Sequence, residues 1–150
     1  MWGEDSDHIH AVGGEGIYRY YDGKEFHRRE DLTDEEVSLF GIWGTSNESM
    51  YICGSHGTIL HNDGTDWKPM QSGTEEYLLS IWGTSDENIF AVGDNSAMLH
   101  YDGKKWSPIQ PIKEEYFTKV KGLGPEQVYV VGENGTVMKF DGKTWNDMSI

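Results

Sequence analysis

Four copies of one repeat fill the 150-residue sequence and leave few choices of architecture. A first glycine marks each copy, at spacings of 41, 39 and 39 residues, in the set Gly3, Gly44, Gly83 and Gly122. Ten residues later comes a second glycine, in the set Gly13, Gly54, Gly93 and Gly132. An Asp-Gly pair follows nine residues on and an aromatic residue three positions beyond it, at Asp22, Asp63, Asp102 and Asp141 and at Phe26, Trp67, Trp106 and Trp145. Since no copy needs an internal gap, the sequence establishes a repeat architecture.

Each copy predicts four short antiparallel strands. Ile89–Val92 is a continuous apolar run rich in β-branched and aromatic residues, which is typical of a strand covered on both faces. Asn134-Gly135 indicates a tight hairpin to the next strand. The Asp-Gly pair, for example Asp102-Gly103, predicts a second two-residue hairpin of type I′. Four strands in a period of this length are the pattern of a propeller blade, so the predicted fold is an all-β propeller of four-stranded antiparallel blades.

A single domain of four blades is predicted over residues 1–150, with blades at approximately 1–30, 31–70, 71–110 and 111–150. Helix is predicted nowhere, except for at most one turn in Leu32–Val37, which opens with a Thr-x-x-Glu capping pattern.

The first copy contains little of its innermost strand, because Trp2-Gly3 stands at the very start of the sequence. Such an incomplete blade exposes strand edges and apolar faces. We therefore expect a homo-oligomer, in which two chains close an eight-bladed ring by two-fold symmetry. The alternatives are a fragment of a longer repeat array and a ring that four blades close alone.

The net charge of −14 comes from 26 acidic and 12 basic residues. This excess of negative charge argues against nucleic acid and anionic membrane surfaces as partners. No segment is long and apolar enough to predict membrane insertion. Cys53, the only cysteine, is predicted to be a small buried residue, because Val12, Val92 and Val131 hold the equivalent positions. No cofactor is predicted.

The sequence resembles a family of bacterial propeller repeats with the pattern WGTSxxxIFAVGxxGTILHYDGxxW. Trp-Gly-Thr-Ser at 82–85, Phe-Ala-Val-Gly at 90–93, Leu-His-Tyr-Asp-Gly at 99–103 and the trailing Trp106 carry the resemblance, which covers essentially all of the chain. These repeats are similar to sialidase-like and photosystem II assembly-factor propellers. The resemblance implies a propeller fold and an extracellular or cell-surface location, while the sequence itself leaves the compartment unknown. The fourth copy departs from the pattern, because Lys121 stands where the other copies have tryptophan.

No catalytic residues are predicted. A sialidase-like enzyme needs arginines from several blades, whereas Arg19, Arg28 and Arg29 all fall in the first copy and its linker. His8 and His10 share a predicted strand face and would hold a metal only if a third ligand converged on them, so no metal site is predicted. The chain is therefore predicted not to be an enzyme.

Tryptophans supply the candidate ligand-binding residues. Trp2, Trp43 and Trp82 end the predicted innermost strands near one mouth of the channel, and Lys121 holds the fourth position. They could stack on sugar rings, although packing in the core is the favoured role. The aromatics that open the outermost strands are predicted to pack between blades. The predicted function is a non-enzymatic binding or scaffold module that presents loops to a protein or glycan partner. The alternatives are a lectin with repeated sugar sites between blades and, last, a glycosidase-like enzyme.

Overall fold

The structure, a computed structural model that describes residues 1–150, is all-β and contains four four-stranded antiparallel sheets, as predicted. Blade 1 contains β1 (Trp2–Gly3), β2 (Ile9–Val12), β3 (Tyr18–Tyr21) and β4 (Phe26–Arg29). Blade 2 contains β5 (Leu39–Ser46), β6 (Ser49–Gly54), β7 (Ile59–Asn62) and β8 (Trp67–Met70). Blade 3 contains β9 (Leu78–Ser85), β10 (Asn88–Gly93), β11 (Met98–Tyr101) and β12 (Trp106–Pro108). Blade 4 contains β13 (Phe117–Gly124), β14 (Gln127–Gly132), β15 (Val137–Phe140) and β16 (Trp145–Asp147). No helix has the length and apolar character needed to cross a bilayer.

Three cores lie between consecutive blades, because alternate residues of a strand point to opposite faces of its sheet. In β6, Tyr51 and Cys53 pack towards blade 3, whereas Met50 and Ile52 pack towards blade 1. All four side chains are buried. The continuous apolar runs of the second strands therefore reflect burial on both faces of each inner blade.

The hairpin between second and third strands forms as predicted. Asn134 and Gly135 have φ values of 53° and 76°, and the Thr136 N–H donates to the carbonyl oxygen of Glu133 at 3.0 Å. Two consecutive positive φ values are what a type I′ turn requires, so the Asn-Gly pair fits without strain.

The prediction of a two-residue turn at each Asp-Gly pair is wrong. Tyr101 pairs with Trp106, which leaves a four-residue loop in which Gly103 has a positive φ of 89° and Asp102 does not. The Asp102 carboxylate instead closes the loop by accepting the backbone N–H groups of Lys104 and Lys105, both at 2.9 Å. These bonds lower the pKa of Asp102 because they favour its charged form. Asp22, Asp63 and Asp141 make the equivalent bonds.

No helix forms at Leu32–Val37. The segment makes a single turn, in which the Val37 N–H donates to the carbonyl oxygen of Asp34 at 3.0 Å. Leu32 and Val37 both pack against the core between blades 1 and 2. The segment thus crosses between blades as a turn held by its apolar ends.

In blades 3 and 4, the second glycine of the repeat lies so close to the backbone leading into the neighbouring strand that a side chain does not fit there. A Cβ on Gly93 would collide with the carbonyl oxygen of Tyr77, which leads into the innermost strand of the same blade. Gly132 meets Tyr116 in the same way in blade 4. A side chain at either position would push the first two strands of its blade apart.

The four blades form an open arc with an uncovered face at each end. On blade 4, Val131 is 37% exposed, whereas its equivalents Cys53 and Val92 are 0% and 1% exposed. On blade 1, Phe26 is 60% exposed, whereas its equivalent Trp67 is 9% exposed. A face that the next blade covers inside the arc is therefore open to solvent at the ends.

Candidate functional site

The four residues predicted to bind ligand all line one axial cavity, which we call the axial cavity throughout. It has a volume of about 160 Å³ and lies between the innermost strands of the blades. Trp2, Trp43, Trp82 and Lys121 each contribute to its wall. Lys119, which the sequence did not single out, lines the same cavity. Its wall is otherwise mostly apolar, so the cavity combines indole rings with cations at one side.

Two of these tryptophans also hold neighbouring blades together. A Cβ on Gly83 would lie 2.9 Å from Cη2 of Trp43, and a Cβ on Gly122 would lie 2.6 Å from Cη2 of Trp82. Each indole therefore rests on the first glycine of the following copy. Both residues remain half-buried, and both also line the axial cavity.

Three lysines on the uncovered side of blade 4 occupy positions that hold no lysine or arginine in blades 2 and 3. Register places Lys119 beside Val131, and Lys121 and Lys139 on either side of Tyr129. We call these five residues the lysine face. The Lys139 ammonium lies 5.8 Å from the centre of the Tyr129 ring, a cation–π distance. None of the three lysines forms an ion pair within the chain.

The lysine face differs chemically from the faces that blades use to pack on one another. Gly41 and Ser80 hold the position of Lys119 in blades 2 and 3. A Cβ on Gly41 would lie 2.8 Å from Cys53 Sγ and 3.2 Å from the backbone nitrogen of Ile81. Ser80 Oγ accepts the N–H of Val120 at 3.2 Å across the next junction. These junctions require a small residue at that position, and a lysine there does not fit an ordinary blade junction.

The uncovered face of blade 1 also carries positive charge. Ile9, Ala11 and Tyr21 give it an apolar centre that is partly exposed. Arg19 is exposed at the position where blades 2 and 3 have the buried residues Leu60 and Leu99. Both open ends of the arc therefore expose cationic side chains, on a chain with a net charge of −14.

His10 takes part in a network within the arc. Its Nε2 donates to Asn47 Oδ1 at 2.9 Å, and its Nδ1 lies 2.7 Å from the hydroxyl of Tyr18. Burial lowers the pKa of His10 and raises the pKa of Tyr18 to about 12. His8 lies outside the strand and contacts Asp5, so the two histidines do not share a ligand site. No group of three or more His, Cys, Asp or Glu side chains comes together that could hold a metal.

The aromatics that open the outermost strands lie in different surroundings. Trp67 and Trp106 are buried in the cores between blades 1 and 2 and between blades 2 and 3. Trp145 is half-buried beside the core between blades 3 and 4. Phe26 lies on the open end of blade 1. Cover by the preceding blade therefore separates Trp67 and Trp106 from Phe26, whereas Trp145 stays half-buried although blade 3 packs beside it.

No protein-family model and no curated protein sequence matches the chain. Among solved structures, it is similar to "YCF48 bound to D1 peptide", with 15% identity and a TM-score of 0.74 over 97% of this chain and 51% of that one. YCF48 from Cyanidioschyzon merolae matches with 20% identity and a TM-score of 0.60 over 73% of this chain and 39% of that one. The RRP9 WD40 repeats match with 9% identity and a TM-score of 0.74 over 98% of this chain and 51% of that one.

At these identities the likeness shows the fold, a propeller, and the predicted architecture is confirmed. The chain spans about half the length, or less, of the solved chains that it matches.

Proposed function

We propose that this chain is a non-enzymatic binding module that holds an acidic, partly apolar segment of a partner protein against the axial cavity and the lysine face. The observation that carries the proposal is the convergence of Trp2, Trp43 and Trp82 with Lys119 and Lys121 on one cavity. Half-buried indoles provide the apolar anchors that dominate protein interfaces. Cations without partners attract a segment of opposite charge and orient it.

The distribution of charge supports an acidic partner. Only 12 of the residues are lysine or arginine, and three of them lie on the lysine face without an ion pair within the chain. The remainder of the surface is dominated by 26 acidic residues, which repel an anionic segment elsewhere. The similar propeller that was solved with a D1 peptide supports a peptide segment as the kind of ligand.

The positions of the arginines favour binding over sialidase-type catalysis. Arg28 pairs with Glu30, and Arg29 bonds to Asp31 at 2.9 Å and Asp66 at 3.1 Å. Arg19 lies at the open end of blade 1. The three guanidinium groups therefore do not form a common clamp for a substrate carboxylate.

Fluorescence anisotropy with labelled peptides tests the proposal directly. A panel of short peptides with aspartate, glutamate and apolar residues should bind, and the same peptides with lysine in place of each acid should not. Replacing Lys121 and Lys139 by glutamate should abolish binding, because negative charges at these positions repel an acidic peptide that the lysines attract. The matched control replaces Lys104 and Lys143, in the Asp-Gly loops, by glutamate and should retain binding. Equal binding of acidic and basic peptides, or none of either, would contradict the proposal.

A second copy of the chain is the other candidate for covering the open ends. The observation that favours it is the pair of uncovered faces, together with the match of this chain to about half of longer propeller chains. Two chains in an eight-bladed ring would bring the lysine face of each against Arg19 of the other, so dimerisation should strengthen as salt screens the repulsion. Light scattering across a salt series tests this, since the ring has twice the 17.0 kDa mass of one chain. A monomer at every salt concentration would exclude the ring.

A further inference from the structure

Two of the three blade junctions are closed by a polar side chain from the loop between the first and second strands of the following blade. At the junction of blades 1 and 2, Asn47 reaches back to accept from His10 Nε2 at 2.9 Å. At the junction of blades 2 and 3, Asp86 accepts from the hydroxyl of Thr45 at 3.0 Å and from that of Tyr51 at 3.2 Å. We call these contacts the junction clasps.

The third junction has no such clasp. Its equivalent position, three residues after the first glycine of the repeat, is Pro125, which has no polar side-chain atom. Thr84 and Asn88 stand where blade 2 presents Thr45 and Ser49 to Asp86, but they bond to each other instead, at 2.8 Å. The junction between blades 3 and 4 is therefore left open on the loop side.

A groove of about 790 Å³ occupies this open junction. Phe90, Phe140 and Trp145 line it and form one aromatic cluster, with ring centres 5.2 to 6.0 Å apart. Trp145 is half-buried, whereas its equivalent Trp106, at the junction that the Asp86 clasp closes, is only 7% exposed. The missing clasp thus leaves an aromatic surface accessible beside polar groups.

The polar groups of the groove supply both donors and acceptors. Asn88 Nδ2 donates to Thr84, so Asn88 Oδ1 accepts from His100 Nε2 at 2.7 Å. This bond leaves Nδ1 of a neutral His100 as an acceptor with no partner in the chain. Burial lowers the pKa of His100, which keeps the imidazole neutral at neutral pH. Glu87, Glu126 and Lys143 also line the groove and add two carboxylates and one ammonium.

We propose that the groove between blades 3 and 4 is a binding site for a neutral carbohydrate. The C–H face of a sugar ring packs on an aromatic surface, and its hydroxyls both donate and accept hydrogen bonds, which matches Trp145, His100 and the rim carboxylates. Glu87 and Glu126 repel anionic ligands such as phosphorylated compounds. The polar rim disfavours an alkyl chain, which would leave those groups without partners. This site is separate from the axial cavity and from the protein segment proposed to bind there.

Saturation-transfer NMR with a panel of neutral mono- and oligosaccharides, each at about 10 mM, covers the weak affinities expected for a shallow site. The decisive variant is Pro125→Asp, which presents a carboxylate to Thr84 and Asn88 and so rebuilds the clasp over the groove. The matched control is Pro125→Ala, which removes the ring and leaves the groove open. Pro125 is exposed, so neither variant disturbs the core.

The expected result is saturation transfer to at least one neutral sugar with the wild type and Pro125→Ala, and binding about tenfold or more weaker with Pro125→Asp. Trp145→Ala should also lose binding, and circular dichroism confirms that each variant is folded. Absence of transfer to every sugar, or binding that Pro125→Asp leaves unchanged, would overturn the proposal. Stronger binding of anionic than of neutral sugars would overturn the assignment of ligand class. An acidic peptide should not compete with the sugar, so the two proposed sites succeed or fail independently.

Discussion

The indole of Trp82 lies on Gly122, the first glycine of the next copy, so closely that a Cβ there would come within 2.6 Å of Cη2. The Trp-Gly contact thus joins two pairs of blades, because Trp43 rests on Gly83 and Trp82 rests on Gly122. Lys121 ends this series, because no later blade within the chain receives its side chain.

Gly122→Ala should destabilise the fold by about 1–3 kcal/mol, because the methyl group forces the Trp82 ring out of its packed position. Urea unfolding monitored by tryptophan fluorescence measures the change. Gly124→Ala is the matched control, since a Cβ at that position meets nothing within 4 Å and no comparable loss is expected. Equal effects of the two substitutions would show that the indole contact is not the cause.

Asp86→Ala should lower the free energy of unfolding by about 1–2 kcal/mol, because it leaves the hydroxyls of Thr45, Ser49 and Tyr51 without their shared acceptor. Chemical denaturation is again the measurement. Glu133→Ala removes a carboxylate that makes no side-chain hydrogen bond or ion pair, and so controls for the change in net charge. If both variants lose the same stability, the clasp contributes nothing of its own.

Acidification should destabilise the protein below about pH 6.5 through one buried and two half-buried histidines. Burial lowers the folded-state pKa of His10, His61 and His100 from 6.5, so the unfolded chain binds protons first as the pH falls. Their contribution is fully present above pH 6.5 and is lost as the pH falls through the folded-state values. NMR titration of the imidazole signals tests the cause, since a pKa of 6.5 or higher for His10 would contradict it.

A later loss of stability is expected below about pH 3.8. Backbone N–H groups donate to the Asp22, Asp102 and Asp141 carboxylates, and the side chains of Lys68 and Thr65 donate to the Asp63 carboxylate. These bonds lower the pKa of each carboxyl group, so folding favours the charged forms. This contribution is present above pH 3.8 and disappears as the pH falls through the folded-state values. Thermal melts at closely spaced pH values should therefore show two separate declines. A single decline confined to the carboxylate range would contradict the histidine effect.

Converting the lysine face to the pattern of blade 3, with Lys119→Ser, Lys121→Trp and Lys139→His, should cause self-association at low salt. The change replaces three cations by groups that suit a blade junction and leaves apolar surface uncovered. Light scattering should report a larger mass than that of the wild type. The control replaces Lys104, Lys105 and Lys143 by serine, tryptophan and histidine, respectively, and tests whether charge and composition alone produce the effect. An unchanged mass in the converted variant would show that the lysines are not what prevents self-association through this face.

The strands could be predicted because each repeat has its own local signals. The apolar run at Ile89–Val92 and the turn at Asn134-Gly135 act within a few residues, and the spacing of copies fixes their number. The turn at Asp102 could not be predicted correctly, because the Asp102 carboxylate accepts hydrogen bonds from the backbone N–H groups of Lys104 and Lys105. These bonds compete with the type I′ turn.

Contacts between side chains of neighbouring blades could not be predicted from the sequence of a single copy. Trp82 and Gly122 are 40 residues apart, and their contact depends on how two sheets pack. Aligned copies show that Pro125 replaces Asp86, but the sequence does not show the partners of Asp86, so the difference was not singled out. Positions at which the copies differ, such as Asp86 and Pro125, are the sequence signal for sites of this kind.

Cys53 gives the arc an internal reporter of its own opening. It is the only thiol in the chain, it is 0% exposed between blades 2 and 3, and burial raises its pKa to about 12. Because only an exposed thiolate reacts readily, its alkylation must wait until those two blades separate. The rate at which a thiol reagent modifies the native protein therefore measures how often the central junction opens, without any engineered label.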